Sequence, residues 1–332
     1  MGVDDNGGNK PTAGLQVSEN SMTDTPTVDG PLKQRTLASS VACIGVGLHS
    51  GVEISMTLHP AVPDTGILFN RTDVEGGALI PARWDHVVDT RLCTTLGNPD
   101  GVIVGTVEHL MAALAGCGID NARVDIDGAE VPVMDGSSAP FVALIQQVGV
   151  VEQDAARRVI RVLKDITVED QGVAVTLSPG ECLSFDFEID FADAAVARQQ
   201  INLSVVNGSF CRDLAGARTF GFLHEVEQLR AAGLAKGGSL ENAVVVSGDR
   251  VLNEEGLRFD DEFVRHKVLD AIGDLYLAGG PVVGGFRGVC SGHAANNRVL
   301  RALFADPDAW CWDTVEGDEA ALAIDGGLTA GA

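Results

Sequence analysis

One stretch of the chain places a histidine and two carboxylates at equal intervals. His266, Asp270 and Asp274 follow each other four residues apart, in a segment that predicts a helix from about residue 261 to 278. Side chains at this spacing share one helix face, where a neutral imidazole and a carboxylate can bind the same divalent metal ion. Taken alone, such residues more often form a hydrogen-bonded pair on a solvated face, with Asp274 as an idle second carboxylate.

A second pair of potential metal-site residues lies far upstream. Glu108 and His109 begin a helix predicted from Val107 to Ala115, with Thr106 as its N-terminal cap. On its own, a glutamate in a first helical turn usually complements the helix dipole. His293 is a third isolated histidine, directly after a Ser-Gly pair. The whole set predicts a metal hydrolase whose site is assembled from distant parts of the chain.

Residues 45–51 (GVGLHSG) form a glycine-rich segment that could let the backbone approach a ligand. The spacing is a poor match to known phosphate-binding loops, and a β-turn is the simpler interpretation. A small-molecule kinase on a two-layer α+β scaffold is therefore a weaker alternative, because it needs a richer Gly-Ser phosphate loop.

Composition limits the class of protein. The chain has 332 residues, 45% of them hydrophobic, and a formal net charge of −24. This charge disfavours nucleic-acid binding and docking on anionic lipid. Seven cysteines without a Cys-x-x-Cys motif argue against a disulfide scaffold or a cysteine-rich zinc module. The chain shows no membrane-length apolar run and no secretory signal, so we expect a cytoplasmic protein without stable membrane insertion, by default a monomer.

Strands followed by helices, twice over, predict two α+β domains. Residues 1–32 are polar and predicted to be disordered, and residues 319–332 form a loose tail. The first domain spans residues 33–155 and the second residues 156–318. The charged stretch at 151–158 interrupts the pattern and marks the boundary.

Hydrophobic periodicity and turn residues place the remaining elements. Within the helix around His266, Leu269, Ile272 and Tyr276 follow core spacing, which leaves His266 and Asp270 on a different side. Predicted strands lie at 52–58, 122–127, 173–177, 183–189 and 243–246, and further helices at about 138–149, 225–232 and 296–304.

Several segments together carry a resemblance to a known family. They are KQRTL at 33–37, GVGLHSG at 45–51, TVEHL at 106–110, AALAG at 112–116, MDGS at 134–137, ARTFGF at 217–222, residues 259–275 around His266, and SGHA at 291–294. From about residue 33 to 315 the chain resembles the UDP-3-O-acyl-N-acetylglucosamine deacetylase family, the zinc hydrolases of lipid A biosynthesis. The expected fold is α+β, with two similar domains. Each has a small mixed or antiparallel sheet with helices on one face, and the helices are sandwiched between the two sheets.

The resemblance implies a zinc ion held by His109, His266 and Asp270, with a fourth position left for water. Two imidazoles and a carboxylate also suit iron(II), which stays open as the metal used in the cell. Glu108 matches the family's general base, which activates the water that attacks the acetamide carbonyl of the sugar.

The resemblance also implies roles on the other side of the reacting carbonyl. Thr219 matches the hydroxyl that stabilises the oxyanion. His293 matches the charged histidine that protonates the leaving amine, and Asp274 keeps it oriented and charged. The implied reaction releases acetate and UDP-3-O-acyl-glucosamine from UDP-3-O-acyl-N-acetylglucosamine, a small-molecule UDP-linked acylated amino sugar.

Eight residues are candidates for contacts with the substrate. A narrow apolar passage for the acyl chain is implied in a strand-helix-strand insert at about residues 221–247. The candidates are Lys267, Phe220, His49, Asp190 and Phe191 for the phosphates, sugar and nucleotide, and Val226, Leu229 and Ala243 for the passage.

One position departs from the family pattern. Cys290 stands just before Ser291 where the family often has a lysine nearby, and Arg287 or Arg298 could supply the missing cation for the diphosphate. A non-catalytic protein that binds a nucleotide sugar or acyl ligand on the same scaffold is the alternative function, although intact Glu108, Thr219 and His293 speak against it.

Overall fold

The structure is a computed structural model that describes residues 1–2, 31–206 and 208–315. Most of the extension predicted to be disordered, and the whole predicted tail at 319–332, lie outside the described residues.

The described residues form strands in five hydrogen-bonded groups. The strands are β1 (Lys33–Leu37), β2 (Val41–Val46), β3 (Glu53–Pro60), β4 (Ile67–Arg71), β5 (Ala78–Pro81), β6 (Val87–Asp89), β7 (Thr95–Gly97), β8 (Ile103–Val104), β9 (Ala122–Ile126), β10 (Val150–Ala156), β11 (Arg158–Val162), β12 (Ile166–Asp170), β13 (Val173–Ser178), β14 (Leu183–Asp190), β15 (Arg198–Ser204), β16 (Phe220–Phe222), β17 (Val244–Ser247), β18 (Arg250–Val251), β19 (Val282–Val289) and β20 (Trp310–Thr314).

Helices are fewer in the same residues. They are α1 (Glu108–Gly116), α2 (Ala139–Val148), α3 (Leu223–Ala231), α4 (Glu262–Tyr276) and α5 (His293–Ala305), with single turns at Trp84–His86 and Phe210–Leu214. None of these described helices has the length and apolar character needed to cross a membrane.

Two mixed sheets form the framework. The first has five strands in the order β2-β3-β9-β4-β5, with β4 and β9 parallel and the other pairs antiparallel. The second has seven strands in which β19 pairs with β11, β13 and β14. The fold is therefore α+β with small mixed sheets, as predicted.

Helices α1, α2, α4 and α5 lie between the two mixed sheets. Helix α2 contacts β2 of the first sheet, whereas α4 and α5 contact strands of the second sheet, and α1 packs against both α2 and α4. One continuous core of buried residues runs through these layers. Because the first and second halves of the chain meet along α1 and α4, residues distant in sequence can share one site.

The boundary between the predicted domains falls close to the turn between β10 and β11. The stretch at 151–158, interpreted as an interruption, is mostly strand: β10 pairs antiparallel with β1. A small parallel pair, β16 with β17, is joined by α3 within the range of the predicted insert. The division into two domains and an insert stays our proposal.

Two local predictions are wrong. Thr106 does not cap α1, because its backbone has a positive φ of 55° and its Oγ1 donates to the Glu130 carboxylate at 3.0 Å. Helix α5 begins at His293, three residues before the predicted start at residue 296. Both His266 and Asp270 are buried, because α4 is enclosed on several sides.

The contact between α1 and α4 depends on a glycine. A Cβ atom added at Gly273 would collide with the backbone carbonyl oxygen of Glu108. Any larger residue must therefore push the two helices apart, and backbone atoms cannot give way as a flexible side chain can.

We expect Gly273→Ala to lower the free energy of unfolding by about 1–3 kcal/mol, because it overpacks this crossing. Gly285→Ala is the control, since a Cβ there meets Ser184 Oγ at an ordinary 3.5 Å. Denaturant unfolding of both variants measures the difference, and equal stability of the two would contradict the tight crossing.

Candidate metal centre

Three buried side chains from α1 and α4 converge on one point. The ligand atoms of His109, His266 and Asp270 all lie within 4.8 Å of one another. Asp270 Oδ1 is 3.3 Å from His266 Nε2 and 3.6 Å from His109 Nε2. Ligand atoms on a tetrahedral zinc ion are on the order of 3.3–3.6 Å apart, so the three fit one cation.

One carboxylate oxygen of Asp270 is buried and unsatisfied. None of the described residues donates a hydrogen bond to Asp270 Oδ1, while Asp270 Oδ2 accepts from Lys267 Nζ at 2.8 Å. A buried carboxylate oxygen without a donor is costly unless a cation satisfies it. The donor set therefore fits a divalent metal held by two imidazoles and one carboxylate.

The protonation states suit metal binding as well. Burial lowers the pKa of His266 to about 4, so its imidazole is neutral at pH 7 and has a free lone pair. Burial raises the pKa of Asp270, but neighbouring His266 and the Lys267 ammonium outweigh it and hold that pKa well below its usual range. At pH 7 the site therefore presents a neutral imidazole beside an anionic carboxylate.

The segment before β16 fixes the orientation of His266. Its Nδ1 lies 3.0 Å from the Ala217 carbonyl oxygen and donates to it, which directs Nε2 toward Asp270. The next residue, Arg218, is buried and donates through its Nε to the Glu262 carboxylate at 2.9 Å. Glu262 stands at the start of α4, so this ion pair ties the Ala217 carbonyl to the helix that carries His266.

Glu108 lies beside the three converging residues with one oxygen held in place. Its Oε2 accepts from the Thr94 backbone N–H at 3.1 Å, and its Oε1 is 3.7 Å from His293 Nε2. Burial raises the pKa of Glu108 to about 7, although the nearby His293 charge acts in the opposite direction. A carboxyl group with this pKa can exchange a proton near neutral pH.

His293 faces Glu108 and is anchored from behind. Its Nδ1 is 2.8 Å from Asp274 Oδ2, with Nδ1 as donor. Burial alone would lower the pKa of His293, but the charges of Asp274 and Glu108 and the bond to Asp274 raise it to about 10. The imidazole is therefore charged at pH 7 and can donate a proton from Nε2.

A small cavity of about 150 Å³ opens onto these groups. Ten of the predicted site residues line this cavity: His49, Glu108, His109, Phe191, Thr219, Phe220, His266, Lys267, Asp270 and His293. Asp274 supports the cavity from behind His293.

Four residues that were predicted to contact the substrate lie away from this cavity. Asp190 is exposed at the end of β14, Val226 and Leu229 are half-buried on α3, and Ala243 precedes β17. They are not among the described residues that line this cavity. Their roles toward substrate stay predictions.

Several buried polar residues around the site were not predicted. Asn296 donates through Nδ2 to Asp274 Oδ2 at 2.8 Å, and Ser291 Oγ donates to Asn296 Oδ1 at 2.7 Å. Glu130 accepts from the His49 and Ser50 backbone N–H groups, which holds the glycine-rich turn. A signal was available only for Ser291, since it stands two residues before His293 in the sequence.

The arrangement provides an acid, a base and a cation-binding set around one cavity. A base near neutral pKa and a charged histidine face each other across it, next to the three converging ligands. This combination is suited to metal-assisted hydrolysis, in which water is deprotonated on one side and a leaving group is protonated on the other.

Comparison with known proteins agrees with this chemistry. The family model for UDP-3-O-acyl N-acetylglycosamine deacetylase matches residues 34–305. A UDP-3-O-acyl-N-acetylglucosamine deacetylase of Acidithiobacillus ferrooxidans is 55% identical over 282 residues, which cover 84% of this chain and 92% of that protein. The chain therefore belongs to the UDP-3-O-acyl N-acetylglycosamine deacetylase family.

Proposed function

We propose that this chain catalyses zinc-dependent hydrolysis of the N-acetyl amide of UDP-3-O-acyl-N-acetylglucosamine, in lipid A biosynthesis. The products are acetate and UDP-3-O-acyl-glucosamine. The observation that carries the proposal is the convergence of His109, His266 and Asp270 beside a base, Glu108, and a charged acid, His293. The name of the Acidithiobacillus relative supports the choice of substrate.

When bound, zinc supplies Lewis-acid chemistry, polarising the acetyl carbonyl and lowering the pKa of water. His109, His266 and Asp270 would hold it. Glu108 takes a proton from the attacking water, with Oε2 held by the Thr94 N–H so that the carboxylate keeps one orientation. Iron(II) suits the same ligand set and is the alternative metal in the cell.

The remaining residues act on the substrate side. The Thr219 hydroxyl donates to the carbonyl oxygen as negative charge develops there, from its place at the cavity wall. His293 then gives its Nε2 proton to the nitrogen as the C–N bond breaks, which makes the amine a competent leaving group. Asp274 holds the histidine in position through Nδ1.

The rest of the substrate extends from the same cavity. Lys267 and Phe220 would contact its sugar and phosphates, and His49 and Phe191 lie at the same cavity. Asp190 would contact the nucleotide from the end of β14. The β16–α3–β17 unit begins at Phe220, on the cavity wall, so Val226, Leu229 and Ala243 would follow the acyl chain outward.

We further infer a cytoplasmic location and a monomer. The reaction needs no second copy of the chain for the groups named above, since α1, α4 and α5 of one chain supply the three ligands, the base and the acid.

We expect Glu108→Ala to lower kcat by about 10²–10⁴-fold, because it removes the proton acceptor. Metal content should remain near that of the parent protein, since Glu108 is not one of the three ligands. Glu53→Ala, at an exposed position on β3, is the control. Turnover and metal analysis on the same samples test this, and full activity of the variant would exclude Glu108 as base.

The pH dependence of kcat/KM should be bell-shaped. The acid limb should have an apparent pKa at or below about 7, because it reflects deprotonation of Glu108. The alkaline limb should have an apparent pKa below about 10, because it reflects loss of the His293 proton. A cation at the three ligands lowers both pKa values, because it opposes added positive charge and favours the carboxylate.

His293→Gln should lose the alkaline limb, because glutamine does not titrate. His86→Gln, on the single turn at Trp84–His86, should keep the profile of the parent. An alkaline limb that is unchanged in His293→Gln would contradict the role of His293 as acid.

Chelation should abolish turnover and lower the thermal unfolding midpoint, because Asp270 Oδ1 then stays buried without a donor from any described residue. Adding back about one zinc ion per chain should restore both properties, and iron(II) under anaerobic conditions tests the alternative metal. A protein that stays active with no divalent metal by elemental analysis would exclude the proposed mechanism.

A further inference from the structure

We propose that Thr94 is a positioning residue that aligns Glu108 and Asp274 for the reaction. The inference rests on the proposed function, since it assigns these carboxylates as the base and as the residue behind the acid. Thr94 lies on neither of the helices that carry them, in the segment just before β7.

Thr94 makes three hydrogen bonds that join the two helices. Its backbone N–H donates to Glu108 Oε2 at 3.1 Å, and its Oγ1 donates to Asp274 Oδ1 at 2.6 Å. Its carbonyl oxygen accepts from the backbone N–H of Val107, directly before α1, at 3.3 Å. One residue is therefore bound to the start of α1, to the base that α1 carries, and to a carboxylate on α4.

In each of the two carboxylates, the two oxygens have different partners. On Asp274, Oδ1 accepts from Thr94, while Oδ2 accepts from His293 Nδ1 and Asn296 Nδ2. On Glu108, Oε2 accepts from Thr94 and Oε1 faces His293 Nε2 at 3.7 Å. Thr94 thus holds one oxygen of each carboxylate, which leaves the other directed at His293.

The surroundings leave Thr94 little freedom. It is 1% exposed, and Leu92, two residues before it, has a positive φ of 70°. Cys93, between them, lines the cavity. Water has little access to Asp274 Oδ1, so removing the threonine hydroxyl would leave a buried carboxylate oxygen without a donor. Asp274 could then rotate, and His293 with it.

The test compares Thr94→Val, which keeps the shape and loses the hydroxyl, with Thr94→Ser, which keeps the hydroxyl. We expect Thr94→Val to lower kcat by about 10–100-fold with KM within about threefold, as is usual when a partner behind an active-site group is removed. Thr94→Ser should return kcat to within about threefold of the parent. Thr95→Val is the matched control. It removes a hydroxyl at the next position, where the contact is with Cys93 Sγ at 3.7 Å and not with Glu108 or Asp274.

A double-mutant cycle tests whether the effect passes through Asp274. In an Asp274→Asn background, Thr94→Val should cost much less in kcat than it does alone, because the same interaction is already altered. If the fold losses in kcat of the two single variants multiply in the double variant, the assignment is contradicted. If Thr94→Val does not fold, Thr94→Ala enters the same comparison with Thr94→Ser.

A readout without metal or turnover is also available. The His293 Nδ1 proton, bonded to a carboxylate, should give a downfield proton NMR signal in the metal-free protein. The signal should persist in Thr94→Ser and shift or broaden in Thr94→Val. An unchanged signal and unchanged kcat in Thr94→Val would overturn the proposal, as would equal kcat losses in the valine and serine variants.

The parent protein separates this inference from the proposed function. If the zinc-loaded parent releases no acetate from the UDP-linked substrate, the proposed function fails. If the parent is active and Thr94→Val matches it, only the role of Thr94 fails.

Discussion

The site depends on the close crossing of α1 and α4. Gly273 lets the backbone of Glu108 lie directly against α4, and this contact brings His109 to His266 and Asp270. The two helices belong to distant parts of the chain and each also packs toward its own neighbours, α2 on one side and α5 and the second sheet on the other. The position of the ligands is therefore set by backbone packing, which is far stiffer than side-chain torsions.

Burial and neighbouring charges give chemically similar groups in the site different pKa values. Three carboxylates and three histidines lie within one buried region, and two of the histidines, His266 and His293, differ in protonation because they have different partners. His266 has a pKa near 4 because burial removes it from water, whereas His293 has a pKa near 10 because it lies between the Asp274 and Glu108 carboxylates. Such separation of pKa values between neighbouring groups is how one site holds both an acid and a base at neutral pH.

Much of the site could be predicted from sequence because its residues lie in short, dense motifs. The four-residue spacing on α4 placed His266, Asp270 and Asp274 correctly on one helix, and the strands β13 and β14 followed from alternation. The glycine-rich β19 was missed, since Gly284 and Gly285 interrupt the apolar pattern. Thr94 and Asn296 could not be found, because a buried polar residue that bonds to a carboxylate 180 residues away, or 22 residues away, has no local pattern.

The central claim is that two imidazoles and one carboxylate hold a single ion. Diffraction from crystals of the zinc-loaded protein, recorded above and below the zinc absorption edge, tests it directly. The account predicts one anomalous peak per chain, about 2.0–2.2 Å from His109 Nε2, His266 Nε2 and an Asp270 carboxylate oxygen. A peak at other residues, or no peak among these three, would contradict it.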